Sequence, residues 1–182
     1  MQEYITKGFA KKLSQEEDIP AGPVWYLCHH PVCTPNKPKV RIVFDCAAIY
    51  KGISLNDTLM PGPDLVSSLI GVLTQFRKGR IALVADIEAM FHQIKVKKED
   101  CNALRFLWWP NGDISKKAEL YSMERHIFGA CSSPCIASFC LKETGKRFGH
   151  EFDKRICEIV ENGFYVDDCL TSSDSDEDAD FK

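Results

Sequence analysis

The rhythm of apolar positions changes several times along this chain, and each change marks an element. Residues 1–38 carry only short apolar stretches, interrupted by Pro20, Gly22, Pro23, Pro31, Pro35 and Pro38, so long helices are not expected there. Val24–Leu27 and Val40–Phe44 are rich in β-branched and aromatic side chains and predict strands. Residues 46–63 read as an extended loop closing in Met60-Pro61-Gly62-Pro63. From Asp64 the period becomes helical: Leu65, Leu69, Val72, Leu73 and Phe76 form one stripe, Arg77 and Lys78 suit the last turn, and Gly79 suits the C-cap. Ile81–Ala85 is an unbroken apolar run of strand length, the pattern of a strand buried on both faces, and it ends in Asp86.

Ala103–Trp109, Pro110-Asn111-Gly112 and Leu120–Met123 predict a hairpin with its turn at Pro-Asn-Gly. Pro134 suits the first turn of a helix running to about Phe148, with Ile136, Phe139 and Cys140 on one face. Asn162-Gly163 breaks the chain. Phe164–Val166 then predicts a strand, Asp167-Asp168 a turn and Cys169–Ser172 a returning strand. Ser173 and Ser175, each three residues before an acid, carry a helix-start signal near the end.

Composition adds bounds. The 182 residues are 45% hydrophobic and 27% charged, which excludes whole-chain disorder and fits one large or two small domains. No stretch approaches the ~18 consecutive apolar residues of a membrane span, so no membrane partner is expected. The N-terminus lacks the apolar run of a signal peptide. Net charge is −3, but residues 173–182 hold five acids against Lys182, which leaves the rest of the chain near neutral. A polyanionic ligand would therefore be held by local basic patches, such as Arg77, Lys78 and Arg80, or Lys95, Lys97 and Lys98. A solvated lysine face is the plain alternative for the second group. The nine cysteines form no CxxC and are odd in number, so reduced thiols in an intracellular, cytoplasmic setting are expected. Cys28-His29-His30 and Cys33 resemble zinc ligands in kind, but no second ligand pair follows, and ordinary packing is the expectation.

Chemistry gathers where strands end. Asp86 closes an apolar strand and Asp167-Asp168 lie in a tight hairpin. Burying a carboxylate costs several kcal/mol unless it is paired or metal-bound, and adjacent acids repel. Asp is also an ordinary turn residue, so Asp167-Asp168 read alone is equally turn chemistry. Read together with Asp86, the three could share a pair of hard cations such as those that clamp the oxygens of phosphoryl transfer.

These residues fall into a known pattern. Phe164-Tyr165-Val166-Asp167-Asp168 resembles the YxDD box of reverse transcriptases. Val84-Ala85-Asp86 through Phe91 resembles their first palm motif. Phe128-Gly129-Ala130-Cys131-Ser132-Ser133-Pro134 resembles the loop and helix between them, and Arg41-Ile42-Val43-Phe44-Asp45 the fingers strand. The four stand in the family's order. Finer wording resembles Pao/BEL-type long-terminal-repeat retrotransposons: His29-His30-Pro31-Val32, Lys39 to Asp45, Ser54-Leu55-Asn56-Asp57, Pro61-Gly62-Pro63, and Phe128-Gly129 where retroviral enzymes have Gln-Gly. Cys28 and Cys46-Ala47 depart from that group's usual Pro and Ala-Ser.

The resemblance implies an α+β fold with an antiparallel palm sheet backed by helices, fingers over residues 1–80 and 103–130, and palm over 81–102 and 131–182. It implies RNA-directed DNA polymerase activity on an RNA or DNA template with a primer and deoxynucleoside triphosphates. Asp86, Asp167 and Asp168, with the Ile87 carbonyl, would hold two Mg²⁺ ions, or Mn²⁺. Arg41 and either Lys37 or Lys39 would contact the triphosphate. Phe91 would gate the sugar, with Tyr165 and Gly129 beside the nucleotide. Ser133, Pro134, Arg77, Lys78 and Arg80 would meet nucleic acid. Thumb, ribonuclease H and integrase regions of a parent polyprotein are not in the chain, so the chain alone is expected to be inactive or weakly active. Two rivals remain: a non-catalytic remnant that at most binds nucleic acid, and another two-metal enzyme such as a nucleotidyl cyclase.

Overall fold

The computed structural model describes residues 1–14, 22–33, 35 and 40–179. In chain order the elements are α1 (Gln2–Thr6), β1 (Ala10–Lys12), β2 (Cys28–Cys33), β3 (Val40–Asp45), α2 (Leu55–Thr58), α3 (Leu69–Phe76), β4 (Ile81–Asp86), β5 (Arg105–Trp108), β6 (Glu119–Met123), α4 (Ser133–Phe148), α5 (Lys154–Asn162), β7 (Phe164–Tyr165), β8 (Asp168–Ser173) and α6 (Asp176–Ala179). Single 3₁₀ turns occur at Met90–Gln93 and Cys101–Leu104, among others. This is the mixed α+β class, with every named strand pair antiparallel. The chain forms two compact units: Met1–Pro61 with Phe91–Ser133, and Gly62–Met90 with Pro134–Lys182.

The first unit holds a sheet of order β1-β6-β5 and the two-stranded β2-β3 ribbon. The expected hairpin forms, with Phe106 directly opposite Tyr121 and their rings stacked 5.7 Å apart. Its turn places Asn111 and Gly112 at positive φ, a conformation these two residue types tolerate. Phe44, Phe106, Tyr121, Met123 and Ile127 anchor the core. Arg105 is fully enclosed, its guanidinium donating from Nε and Nη2 to Asn102 Oδ1 at 3.1 and 2.9 Å. Val24–Leu27 is not a strand of its own. It makes a single parallel bridge, Tyr26 to Arg105, and the regular pairing starts at Cys28. The pairing partner decides: β3 offers a full antiparallel ladder to Cys28–Cys33, whereas β5 offers residues 25–27 only isolated bonds. His29 thus packs among the rings of Phe44, Phe106 and Trp108, at 5.7 to 5.8 Å. Cys28 and Cys33 are exposed free thiols.

The second unit is a sheet of order β4-β8-β7 with α3, α4 and α5. Its first helix starts at Leu69, not Asp64. Asp64 Oδ1 accepts the Val66 N–H at 3.0 Å, a local turn that competes with helix, and Ser68 Oγ then caps Gly71 N–H. Arg77 rather than Gly79 is the C-cap. Gly79 serves close packing instead: a Cβ there would lie 2.6 Å from the Ser173 carbonyl oxygen. β4 is not buried on both faces. It is an edge strand, and Val84 is 67% exposed. α4 matches its expected span, but it buries Ala137 and Ser138 and leaves Phe139 exposed. α5 went unread in the sequence although Asp153 caps it by accepting the Arg155 N–H and Gly163 ends it.

Candidate active site

β8 is the middle strand of the second unit's sheet, so its first residue has neighbours on both sides. Asp168 faces Asp86 of β4 across one ladder and Tyr165 of β7 across the other. The β7–β8 connection is a two-residue loop, Val166-Asp167, one position earlier than the expected Asp167-Asp168 turn. Val166 has φ +58° and Asp167 does not share the positive sign, the II′ pattern that normally takes glycine at the first position. A β-branched residue there is strained. The Ile87 N–H donates to the Asp167 carbonyl at 3.0 Å, which ties the loop to the end of β4.

Directly opposed like charges destabilise an antiparallel pair. Among the described residues none pairs with the carboxylates of Asp86, Asp167 or Asp168, by ion pair or side-chain hydrogen bond. The structure therefore juxtaposes two acids and adds a third in the adjoining loop, all without a protein cation. The donor set is hard oxygen, which suits Mg²⁺ or Mn²⁺. Burial pushes the pKa of the neighbouring Cys169 thiol up. The three carboxylates do not converge on one point: among the described residues no group of three His, Cys, Asp or Glu is close enough to hold a metal unaided. Mg²⁺ sites of one or two carboxylates completed by substrate phosphates have this character.

The remaining predicted residues are distributed over both units. Arg41 is exposed on β3, opposite Val32. Phe91 is buried, its ring edge-on to Phe128 at 4.5 Å, and Phe128 itself is half exposed. Gly129 has φ +98°, and a Cβ there would lie 2.7 Å from the Phe44 carbonyl oxygen. Ser133 is buried and donates to the Ile127 carbonyl at 2.9 Å, so its hydroxyl is committed to the fold, whereas Pro134 is exposed. Arg77, Lys78 and Arg80 are exposed at the end of α3. Lys78 and Arg155 border a cleft of about 390 Å³ that also holds Glu158 and Asp174. Lys95 and Lys98 border another of about 570 Å³ in the first unit, beside Lys11, Arg125, Glu99 and Glu124. Lys37 and Lys39 lie outside the described residues.

The architecture has clear counterparts. The chain superposes on the foamy viral protease-reverse transcriptase in complex with double-stranded DNA, with TM-score 0.61, 18% identity and 96% of this chain covered. The native prototype foamy virus protease-reverse transcriptase gives 0.64, 17% and 97%. The foamy viral protein in complex with an RNA/DNA hybrid gives 0.65, 17% and 97%. The fold is a reverse transcriptase fold. The chain covers 25% of the first of those chains and 19% of the other two. No protein-family model and no curated protein sequence matches it. Asn56, quoted from the sequence only within Ser54-Leu55-Asn56-Asp57 and given no role there, hydrogen-bonds to Gly129 and Cys131 of the first unit. Its signal was a loop asparagine framed by the Ser54/Asp57 capping box. Among the described residues no helix is long and apolar enough to cross a membrane.

Proposed function

We propose that the chain is the fingers and palm portion of an RNA-directed DNA polymerase of the Pao/BEL retrotransposon kind. The observation that carries this reading is the register that sets Asp86 opposite Asp168, with Asp167 tied to Ile87, inside a reverse transcriptase fold. The first compact unit is assigned to the fingers and the second to the palm, an assignment under which residues 62–80 belong to the palm and 91–102 and 131–133 to the fingers.

In this reading Asp86, Asp167, Asp168 and the Ile87 carbonyl would hold two Mg²⁺ ions, whose positive charge would offset that of the triphosphate oxygens and make the 3′-hydroxyl easier to deprotonate. The protein otherwise contributes placement. Arg41 offers a planar fork to triphosphate oxygens, with Lys37 or Lys39 as a second cation. Phe91, its ring packed on Phe128, is assigned to exclude a 2′-hydroxyl, and Tyr165 and Gly129 are each assigned to contact the nucleotide. Ser133 and Pro134 shape the path of the template. Arg77, Lys78 and Arg80 contact backbone phosphates without reading sequence. The partners are an RNA or DNA template with its primer and deoxynucleoside triphosphates.

Primer extension on RNA and DNA templates, by the chain lengthened to include a thumb region, tests the proposal. Extension should require Mg²⁺ or Mn²⁺, and Asp168→Asn should lower it by roughly a thousandfold, about 4 kcal/mol of transition-state stabilisation. Extension by Asp168→Asn equal to the wild type would overturn the proposal, as would cyclisation of free nucleotide in place of extension.

A further inference from the structure

Asn56 sits in α2, a single turn fixed at its start by a reciprocal capping box: Ser54 Oγ accepts the Asp57 N–H and Asp57 Oδ2 accepts the Ser54 N–H. The backbone N–H of Asn56 donates to the Cys46 carbonyl at 3.0 Å, just past the end of β3. Its carboxamide then reaches the loop before α4 and uses both ends. Nδ2 donates to the Gly129 carbonyl at 3.0 Å, and Oδ1 accepts the Cys131 N–H at 2.9 Å. The same loop lies against β3 at Gly129, where the Phe44 carbonyl oxygen leaves no room for a side chain. On the Cys131 side the thiol points to the carbonyls of Asn56 and Leu59 at 3.7 and 3.6 Å.

We infer that Asn56 is a positioning residue: its carboxamide locks the Gly129–Cys131 loop to the end of β3, so that the strand bearing Arg41 and the loop bearing Phe128 and Gly129 present one fixed surface to an incoming nucleotide. The inference rests on the polymerase reading above for what the surface receives, and on the two hydrogen bonds for the lock itself. A carboxamide suits the task because one planar group carries a donor and an acceptor side by side, matched to a carbonyl and an N–H two residues apart. An aspartate of the same shape keeps the acceptor for Cys131 but turns a second acceptor toward the Gly129 carbonyl, so the lock becomes a repulsion until the carboxyl is protonated.

Three variants separate this from a merely structural role: Asn56→Asp, Asn56→Ala and, as reference, Asp168→Asn. Amide hydrogen exchange over residues 129–131 reads the lock without any catalytic assay. Asn56→Asp should speed exchange there at least tenfold at pH 7.5, and lowering the pH should narrow its difference from the wild type after correction for intrinsic exchange, while the difference shown by Asn56→Ala stays constant. Unchanged exchange overturns the inference whatever the polymerase assay gives. In primer extension by the chain lengthened to include a thumb, Asn56→Asp should raise the KM for deoxynucleotide roughly tenfold and leave kcat within about twofold, among variants with the wild-type circular dichroism spectrum. A KM equal to the wild type in a folded, active protein overturns the positioning role and leaves the polymerase reading standing. A thumb-bearing wild type that extends no primer, like Asp168→Asn, overturns the polymerase reading and with it the nucleotide-facing role, while the exchange result still decides the lock.

Discussion

Phe106 in the first unit is fully enclosed, whereas Val84, an apolar strand residue of the second, is 67% exposed. The contrast extends beyond these two. In the first unit the rings of Phe44, Phe106 and Tyr121 interlock across two sheets, and an arginine is buried with its own asparagine acceptor. The second unit has only three strands, one of them at the edge, and its fully buried apolar side chains are few, Val72 and Ala137 among them. Yet the second carries all three candidate metal ligands. Carboxylates that must meet a cation and a phosphate cannot be sunk in a dense core without a large desolvation cost, so a strand that delivers one stays near water. Dense packing and acid display are thus divided between the units.

The contrast can be broken most forcefully at Phe106. Phe106→Ala should destabilise the protein by ~3–5 kcal/mol through the cavity it opens, whereas Val84→Ala should cost less than about 0.5 kcal/mol. Urea unfolding of both variants checks this, and similar costs would mean that β4 is covered in solution. Phe91 comes next, because it is a buried residue of the dense unit with an assigned role at the nucleotide. In a chain lengthened to include the thumb, Phe91→Val should raise ribonucleotide over deoxynucleotide use in kcat/KM by at least roughly tenfold, or about 1.4 kcal/mol. A lower melting temperature with an unchanged ratio would make Phe91 core alone.

Val166→Gly is expected to be smaller and of the opposite sign. Relief of the positive-φ strain should outweigh glycine's added chain entropy and stabilise the second unit by up to about 1 kcal/mol, read by thermal melting. The gentlest test is pH. Burial lowers the pKa of His29, His92 and His126, all in the first unit, below the ordinary value of 6.5. His92 Nδ1 lies 2.7 Å from the His126 carbonyl, an acceptor only, so that nitrogen carries the proton of a neutral ring. The unfolded chain takes up protons first as pH falls through about 6.5, so stability should be level above that value and decline below it. His92→Asn, which keeps a donor, should flatten the decline, and an unaltered slope would exclude His92 as a contributor.

What the sequence disclosed followed from periodicity and turn chemistry. The hairpin around Asn111-Gly112, strand β3, the span of α4 and the position of Asp86 at a strand end were legible because local residues dictate them. The start of α3 was not, because Asp64 makes a turn with Val66 that competes with the apolar stripe. The exposure of β4 was not, because an unbroken apolar run tells nothing of how many strands flank it. For the candidate site, residue types were legible and mutual placement was not. That Asp168 heads a strand while Asp167 stays in the loop depends on a positive φ at a valine, which no propensity suggests. The contacts of Asn56 were not legible because both of its loop partners are backbone atoms more than seventy residues away.

The pairing of β4 with β8 also has a kinetic side. The two strands are separated by nearly half of the chain, and the segment Phe91–Ser133 that intervenes belongs to the other compact unit. Closing so long a loop for the sake of a six-residue ladder is entropically costly if the loop is a free coil. It becomes cheaper once that segment has collapsed onto its own sheet, because the chain left to close is then Ile87–Met90 on one side and Pro134–Asp167 on the other. Asp86 and Asp168 should therefore meet late in refolding, after the rings of Phe106 and Tyr121 have stacked.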